Sequence, residues 1–414
     1  MSGRTRREWL AALAAGTTGA VAGCTGGGGT ATYVTESPDR TLQPPSGSMV
    51  ASGSAPTYRY DAGNSGVAGA PGPTEDLDRA WSYEADGKLV TTPAVDGGTA
   101  YVGDRDGTFH AVDLESGERE WATEVEPRGR KGVDASPTVA DGLVVFGSGS
   151  DREGDDARLT AVDADTGDVV WRHRVGSYAR SAPAVVDGRV YAGGTEAVHC
   201  VDLATGEPRW TFDTGSVENV TPPDEVFAGV AVVDGTVFAA TLEGLLHALD
   251  AESGDRRWSA AVGTDVRATP AVVDGTVYVG SYDNRVHAVS VADGEVRWRF
   301  DTGEFVSAPP AATGDAVYVG SDSGTVHKLD PADGEELWAT AVTEDGAVSG
   351  GPVVAGDAVL VGTVRPDTVV SLAADDGTRR WDFFTQGTVR SPVAALENAA
   401  LVPTLGNRLH AVVG

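Results

Sequence analysis

Two groups of residues in this 414-residue chain are of types that could do chemistry. Six of its seven histidines, His110, His199, His247, His287, His327 and His410, recur in equivalent local contexts. Imidazoles repeated in this way would suit a ring of metal ligands. Arg180, Arg267 and Arg390 also recur, in the segments Tyr178 to Ser181, Val266 to Thr269 and Val389 to Ser391. Guanidinium groups gathered round one opening would hold a carboxylate or a phosphate through paired N–H donors. Other chemistry is missing from the sequence. Cys24 and Cys200 are the only cysteines, which leaves no disulfide framework and no cysteine-rich metal site. There is no Gly-x-Ser-x-Gly elbow, no His-Glu-x-x-His pair and no Cys-x-x-Cys-His haem segment.

What must position those groups is an 11-residue repeat. AVDADTGDVVW, ending at Trp171, returns as AVDLESGEREW (Trp121), CVDLATGEPRW (Trp210), ALDAESGDRRW (Trp258), AVSVADGEVRW (Trp298), KLDPADGEELW (Trp338) and SLAADDGTRRW (Trp381). Spacings of roughly 40 to 50 residues are those of four-stranded blades rather than of helical repeats. Within Ser181 to Trp210, short runs rich in Val, Tyr and Ala alternate with Asp-Gly, Gly-Gly-Thr-Glu and Ala-Thr-Gly-Glu turns, so four strands joined by tight hairpins are predicted. Asp187-Gly188, Asp234-Gly235 and Asp274-Gly275 sit between apolar runs, where a two-residue turn demands positive φ.

The repeat resembles that of the quinoprotein-type propeller family, Ala-x-Asp-x-x-Thr-Gly-x-x-x-Trp. That resemblance implies an all-β, eight-bladed propeller of four-stranded antiparallel blades over residues 57–414. It also implies that Trp81, Trp121, Trp171, Trp210, Trp258, Trp298, Trp338 and Trp381 clasp each blade to its neighbour, the indole filling a wedge and its N–H finding an acceptor. Trp81 comes without its own upstream motif, and the last repeat stops at Gly414 before its turn and Trp strand. The Trp81 strand is therefore expected to complete the C-terminal blade, leaving no open sheet edge. Tyr58 to Asn64 resembles the lead-in before the first blade of many prokaryotic members, and is expected to cover the ring near its seam.

On this frame the histidines lie on third strands. Strands are about 4.8 Å apart, so equivalent imidazoles of adjacent blades stand on the order of 10 Å apart. A metal with bonds of about 2 Å cannot bridge them, so no metal site is expected there. Cys200 takes the small-residue place of its motif and reads as an inert core thiol. The arginines lie at the start of innermost strands, which face the channel mouth, and Asp134, Tyr178, Phe227 and Phe305 complete a candidate ligand or partner rim. Asp134 and neighbouring acids could equally neutralise the arginines. Three longer loops, Gly147 to Arg158, Thr214 to Val226 and Val364 to Thr368, interrupt the period, and Asp151, Glu153, Asp155 and Asp156 lack the spacing of a calcium-binding EF-hand.

Quinone-dependent alcohol dehydrogenases of the same family carry an adjacent cysteine pair, a calcium site and a catalytic aspartate. This chain has no adjacent cysteines. The expectation is a protein that is not an enzyme, with no catalytic residues, cofactor or metal; a PQQ-dependent oxidoreductase with a divergent site, or a small anionic solute or glycan binder, is the alternative.

The first 23 residues read as an export signal: Arg6-Arg7-Glu8-Trp9-Leu10 resembles a twin-arginine consensus, and an apolar run too short to span a bilayer follows. Val21-Ala22-Gly23-Cys24 resembles a lipobox, with Cys24 expected to carry the lipid. Residues 24–56, rich in Gly, Ser and Pro, read as a flexible stalk. A net charge of −30 would repel nucleic acid and anionic lipid, and its even spread suits the solvated surface of a salt-loving organism's protein. Together these predict a monomeric propeller tethered outside the cell membrane. It resembles in architecture the lipoprotein of the bacterial β-barrel assembly machinery, with an extracytoplasmic protein as its partner.

Overall fold

The computed structural model describes residues 53–74, 77–125, 132–149, 156–215 and 225–414. The leader, Cys24, most of the stalk, and Asp151, Glu153 and Asp155 lie outside the described residues.

Eight four-stranded antiparallel sheets form a ring, a β-propeller. Blade 1 holds Ala94–Asp96, Thr99–Gly103, Thr108–Asp113 and Arg119–Glu124, running from the axis outward. Blades 2 to 7 repeat that order, with innermost strands Thr138–Ala140, Ala184–Val186, Ala231–Val233, Ala271–Val273, Ala311–Ala312 and Ala347–Ala355. Blade 8 takes Ala394–Leu396, Ala399–Pro403 and Arg408–Val413 from the C-terminal end of the chain. Its outermost strand is Asp78–Glu84, in which Trp81 pairs with Ala411.

The hairpins follow from the turn residues. Asp187, Asp234 and Asp274 have φ of 51°, 48° and 46°, and the glycines after them are also left-handed, the type I′ arrangement whose twist matches the flanking strands. Second and third strands are buried along almost their whole length because blades cover both faces, whereas outer strands alternate half-buried and exposed residues. The core is accordingly divided into clusters between blades. One packs Phe109 and Val133 with Phe146 across the gap from blade 1 to blade 2, and another joins Val102 and Val112 to Leu401 and Leu409 where blade 8 meets blade 1.

The tryptophan motif builds the contact between blades. Trp81 donates its indole N–H to the Leu114 carbonyl at 3.0 Å, Trp121 to Ala164 at 3.0 Å, Trp171 to Leu203 at 2.7 Å, and Trp210 to Ala251 at 3.1 Å. Trp258, Trp298 and Trp338 donate to Val291, Pro331 and Ala374 at 2.9, 2.9 and 3.3 Å. Each acceptor belongs to the next blade's motif. The motif glycine lies beneath the same indole: a Cβ on Gly254, where φ is +78°, would come within 2.7 Å of the Trp210 ring. The Trp381 indole N–H alone among the eight has no partner.

Residues 55–72 form a strap across the channel, a wider role than covering the seam. Ala55 bonds to Val95, Pro56 accepts from Val139, and Ala62, Gly63, Ser65 and Gly66 accept from Val232, Val272, Ala312 and Val354 in turn. Gly72 donates to Leu396, and Val67–Ala68 adds a parallel strand beside Val354–Ala355. Innermost strands of seven of the eight blades thus have a backbone bond to one segment. Ala55 and Pro56, placed in the stalk by the sequence, already belong to this strap. Arg59 is its pin: it is 1% exposed, with Nη1 and Nη2 donating to the Pro352 and Pro310 carbonyls at 2.7 and 2.6 Å.

Candidate functional site

The strap takes up backbone groups in the innermost strands themselves, and the segments leading into those strands surround a cavity of about 160 Å³. Its wall includes Asp134, Arg180, Phe227, Arg267 and Arg390, with the strap's Tyr58 also in the lining. Five of the seven rim residues expected from sequence therefore meet in one cup. Tyr178 and Phe305 do not line the cavity itself and stand against its arginine and aromatic groups.

Cations and rings alternate along the rim. The Arg180 guanidinium carbon lies 5.0 Å from the ring centres of both Tyr178 and Phe227. That of Arg267 lies 5.4 Å from Phe227 and 5.1 Å from Tyr282, whose ring stacks on Phe305 at 4.8 Å and 5°. Such contacts hold a guanidinium in place while leaving N–H groups at its edge. Asp265 fixes Arg267 with two bonds of 2.8 and 2.9 Å, and this bonding raises the pKa of Arg267 further. Asp134 is bonded to Arg105 at 2.9 Å and approaches Arg180 only to 4.0 Å. Arg390 is exposed and has no hydrogen-bonded or ion-paired carboxylate among the described residues. The alternative left open by the sequence, that acids pair with the arginines, describes Arg267, only loosely Arg180, and not Arg390.

Tyr282, Arg105 and Asp322 were not among the rim residues expected from sequence. They follow the second strand of their blades and form a second tier behind the inner-strand residues: Arg105 meets Asp134, Tyr282 meets Arg267, and Asp322 accepts the Ser307 hydroxyl at 2.6 Å. Burial raises the Asp322 carboxyl above its ordinary range despite that bond. Lining up repeats at the second residue after the second strand exposes this tier, since that position reads Arg105, Leu242, Tyr282 and Asp322 in blades 1, 4, 5 and 6.

The histidines serve the blades individually. His110 bonds to Asp104 at 3.0 Å and to the Tyr83 hydroxyl at 2.9 Å, His247 to Ser259 at 2.7 Å, His327 to Glu336 at 2.8 Å and His410 to the Thr385 carbonyl at 2.9 Å. His287 bonds to Asp283 at 3.0 Å, and the His199 ring lies 5.5 Å from that of His173. Burial pushes the pKa values of His199, His247 and His410 down to about 4. Cys200 is fully buried, and burial pushes its thiol up to about 11. In the irregular loops, Asp156 bonds to Arg174, and the other three acidic residues of that loop, Asp151, Glu153 and Asp155, lie outside the described residues.

A ring scaffold with one end strapped and the other opening on an arginine and aromatic rim is a form that many propellers could share. The repeat narrows the choice: the chain belongs to the family of outer membrane protein assembly factor BamB, whose sequence profile matches residues 74–227, 194–304 and 283–414. BamB of Yersinia pestis is 26% identical over 194 residues, 44% of this chain and 45% of that protein. The serine/threonine-protein kinase AfsK of Streptomyces griseus is 33% identical over 182 residues, 42% of this chain but 21% of the kinase. The matches span less than half the length of these relatives. Among solved structures, BamB from Moraxella catarrhalis superposes with a TM-score of 0.67 at 21% identity, covering 82% of this chain and all of that one. The quinohemoprotein alcohol dehydrogenase of Comamonas testosteroni gives 0.71 at 14% identity, covering 87% and 80%. These two likenesses establish the fold.

The dehydrogenase likeness raises the fit of a quinone with calcium. Among the described residues, those lining the cup do not fit that pair. Asp134 is already bonded to Arg105 and Asp322 to Ser307, and among the described residues no three His, Cys, Asp or Glu side chains converge as a metal site would require. The cup instead offers donors suited to anions.

Proposed function

We propose that this chain is a non-catalytic, extracytoplasmic propeller, tethered to the membrane through Cys24, that works as a protein-interaction scaffold. Its docking side is the open face. The observation that carries this reading is the asymmetry of the channel: the strap occupies the innermost strands, while Arg267, Arg390 and Phe305, the last 43% exposed, are presented at the mouth. Aromatic residues and arginine are the side chains that most often anchor protein interfaces, because they offer large contact areas at low entropic cost. The family's assembly-factor name supports the same reading. The twin-arginine and lipobox-like segments support export and anchoring, and the acidic composition supports a salt-rich setting.

Two experiments test it. Metabolic labelling with a radiolabelled fatty acid should mark the wild type and not Cys24→Ser; equal labelling contradicts the tether. Purified protein supplied with PQQ, calcium and an alcohol should leave a redox dye unreduced. Turnover of the dye would establish the dehydrogenase reading instead.

A further inference from the structure

The open cup has the chemistry of a ligand site in its own right, whether or not a protein docks on the face around it. Three features coincide there. Arg390 has no carboxylate bonded to it, and the Nη atoms of Arg180 make no hydrogen bond among the described residues. Ser391, beside Arg390, is 6% exposed and lines the cup, yet its hydroxyl has no hydrogen-bond partner among the described residues. A buried hydroxyl left unbonded is costly, and a ligand oxygen at this point would recover that cost. Finally, the stacked Tyr282 and Phe305 rings stand against Arg267 and add an apolar surface to the rim, and Phe305 remains 43% exposed.

We propose that the cup binds a carboxylate attached to an apolar or aromatic group, with Arg390 and Arg180 pairing with its oxygens, Ser391 donating to it, and Phe305 covering its apolar part. The acidic protein around the cup favours this directional capture over loose attraction. With a net charge of −30, the chain as a whole repels anions, so an anion stays only where fixed N–H and O–H donors outweigh that field. Arg267 plays a supporting part because Asp265 already occupies its N–H fork. A free organic acid and the C-terminus of a polypeptide both present the same planar oxygen pair.

Calorimetric titration of the full chain in high salt tests the site with four probes. These are 3-phenylpropanoate, its primary amide, and a pentapeptide ending in phenylalanine with either a free or an amidated C-terminus. Saturable one-to-one binding of at least one free carboxylate, with its amide at least tenfold weaker, is expected. Tighter binding of the acid marks a small-molecule ligand, and tighter binding of the peptide marks a polypeptide tail. Arg390→Ala and Ser391→Ala should each weaken binding, the first by tenfold or more, whereas Arg105→Ala, behind the rim, should retain more of the affinity than Arg390→Ala does. Thermal midpoints of the unliganded variants show that each is folded, and Arg390→Lys gives a second, more conservative test of the paired donors. Absence of saturable binding by both carboxylates, equal affinity for acid and amide, or unchanged affinity in folded Arg390→Ala would overturn the proposal.

Discussion

The eight tryptophans provide a built-in control for the energy of the clasp. Trp258 donates to the Val291 carbonyl at 2.9 Å, and its ring lies over Gly294, where a Cβ would come within 2.7 Å. Trp381 is likewise half-buried, yet its N–H has no acceptor, and the place equivalent to the acceptor residue falls at Gly414. Phenylalanine in place of either tryptophan removes similar ring volume, at a cost of about 1 kcal/mol or somewhat more. Only at Trp258 does it also strip a carbonyl of its donor, worth roughly 1–3 kcal/mol. Trp258→Phe should therefore destabilise the ring by about 2–4 kcal/mol and Trp381→Phe by about half of that or less. Urea titration followed by circular dichroism, with both variants measured in the same high-salt buffer, reads the difference directly. Equal midpoints for the two variants would refute the hydrogen-bonded clasp as the source of cohesion between blades.

Other outcomes follow from the same contacts. Gly254→Ala and Gly235→Ala both place a side chain at positive φ, but only the first drives a Cβ into an indole; Gly254→Ala should cost about 1–3 kcal/mol more in thermal or urea unfolding. Arg59→Met removes the donors of the Pro310 and Pro352 carbonyls, so its thermal midpoint should fall by several degrees, equivalent to about 2–4 kcal/mol; an unchanged midpoint would show that the strap is not pinned there. His199, His247 and His410 have pKa values of about 4 in the folded chain, below the ordinary value near 6.5. The unfolded chain therefore binds more protons between those limits. The contribution of these three groups is complete above about pH 6.5 and lost as pH falls towards 4, by roughly 3 kcal/mol each. Denaturation midpoints between pH 7 and 5 should drop, and His410→Gln should flatten the slope; a flat wild-type profile contradicts it.

The fold was legible because most blades share the same three devices. The Asp-Gly hairpin, the motif glycine and the tryptophan recur at a fixed spacing, and each has a local steric or hydrogen-bonding reason to be where it is. The rim was partly legible for a related reason: Arg180, Arg267, Phe227 and Asp134 precede innermost strands, so the period alone places them round the axis. Pairing was not legible. Asp265, two residues from Arg267, occupies its fork, whereas Arg390 has Val389 and Ser391 as neighbours and stays open. Tyr282 escaped notice because it comes from the hairpin after a second strand, and only ring closure brings that hairpin against the inner tier. The strap was the hardest to foresee. Tyr58 to Gly66 shows no strand periodicity, because its carbonyls are spent singly on successive blades rather than in a ladder.

The claim on which the functional account rests is that the mouth of the ring is the docking face. A photo-crosslinking residue placed at Phe305, on the rim, and separately at Phe384, 66% exposed on an outermost strand, tests it in living cells. The account predicts a discrete protein adduct from position 305 that weakens in an Arg180→Ala background, with none from position 384. Adducts of equal yield at both positions, or at 384 alone, would contradict it.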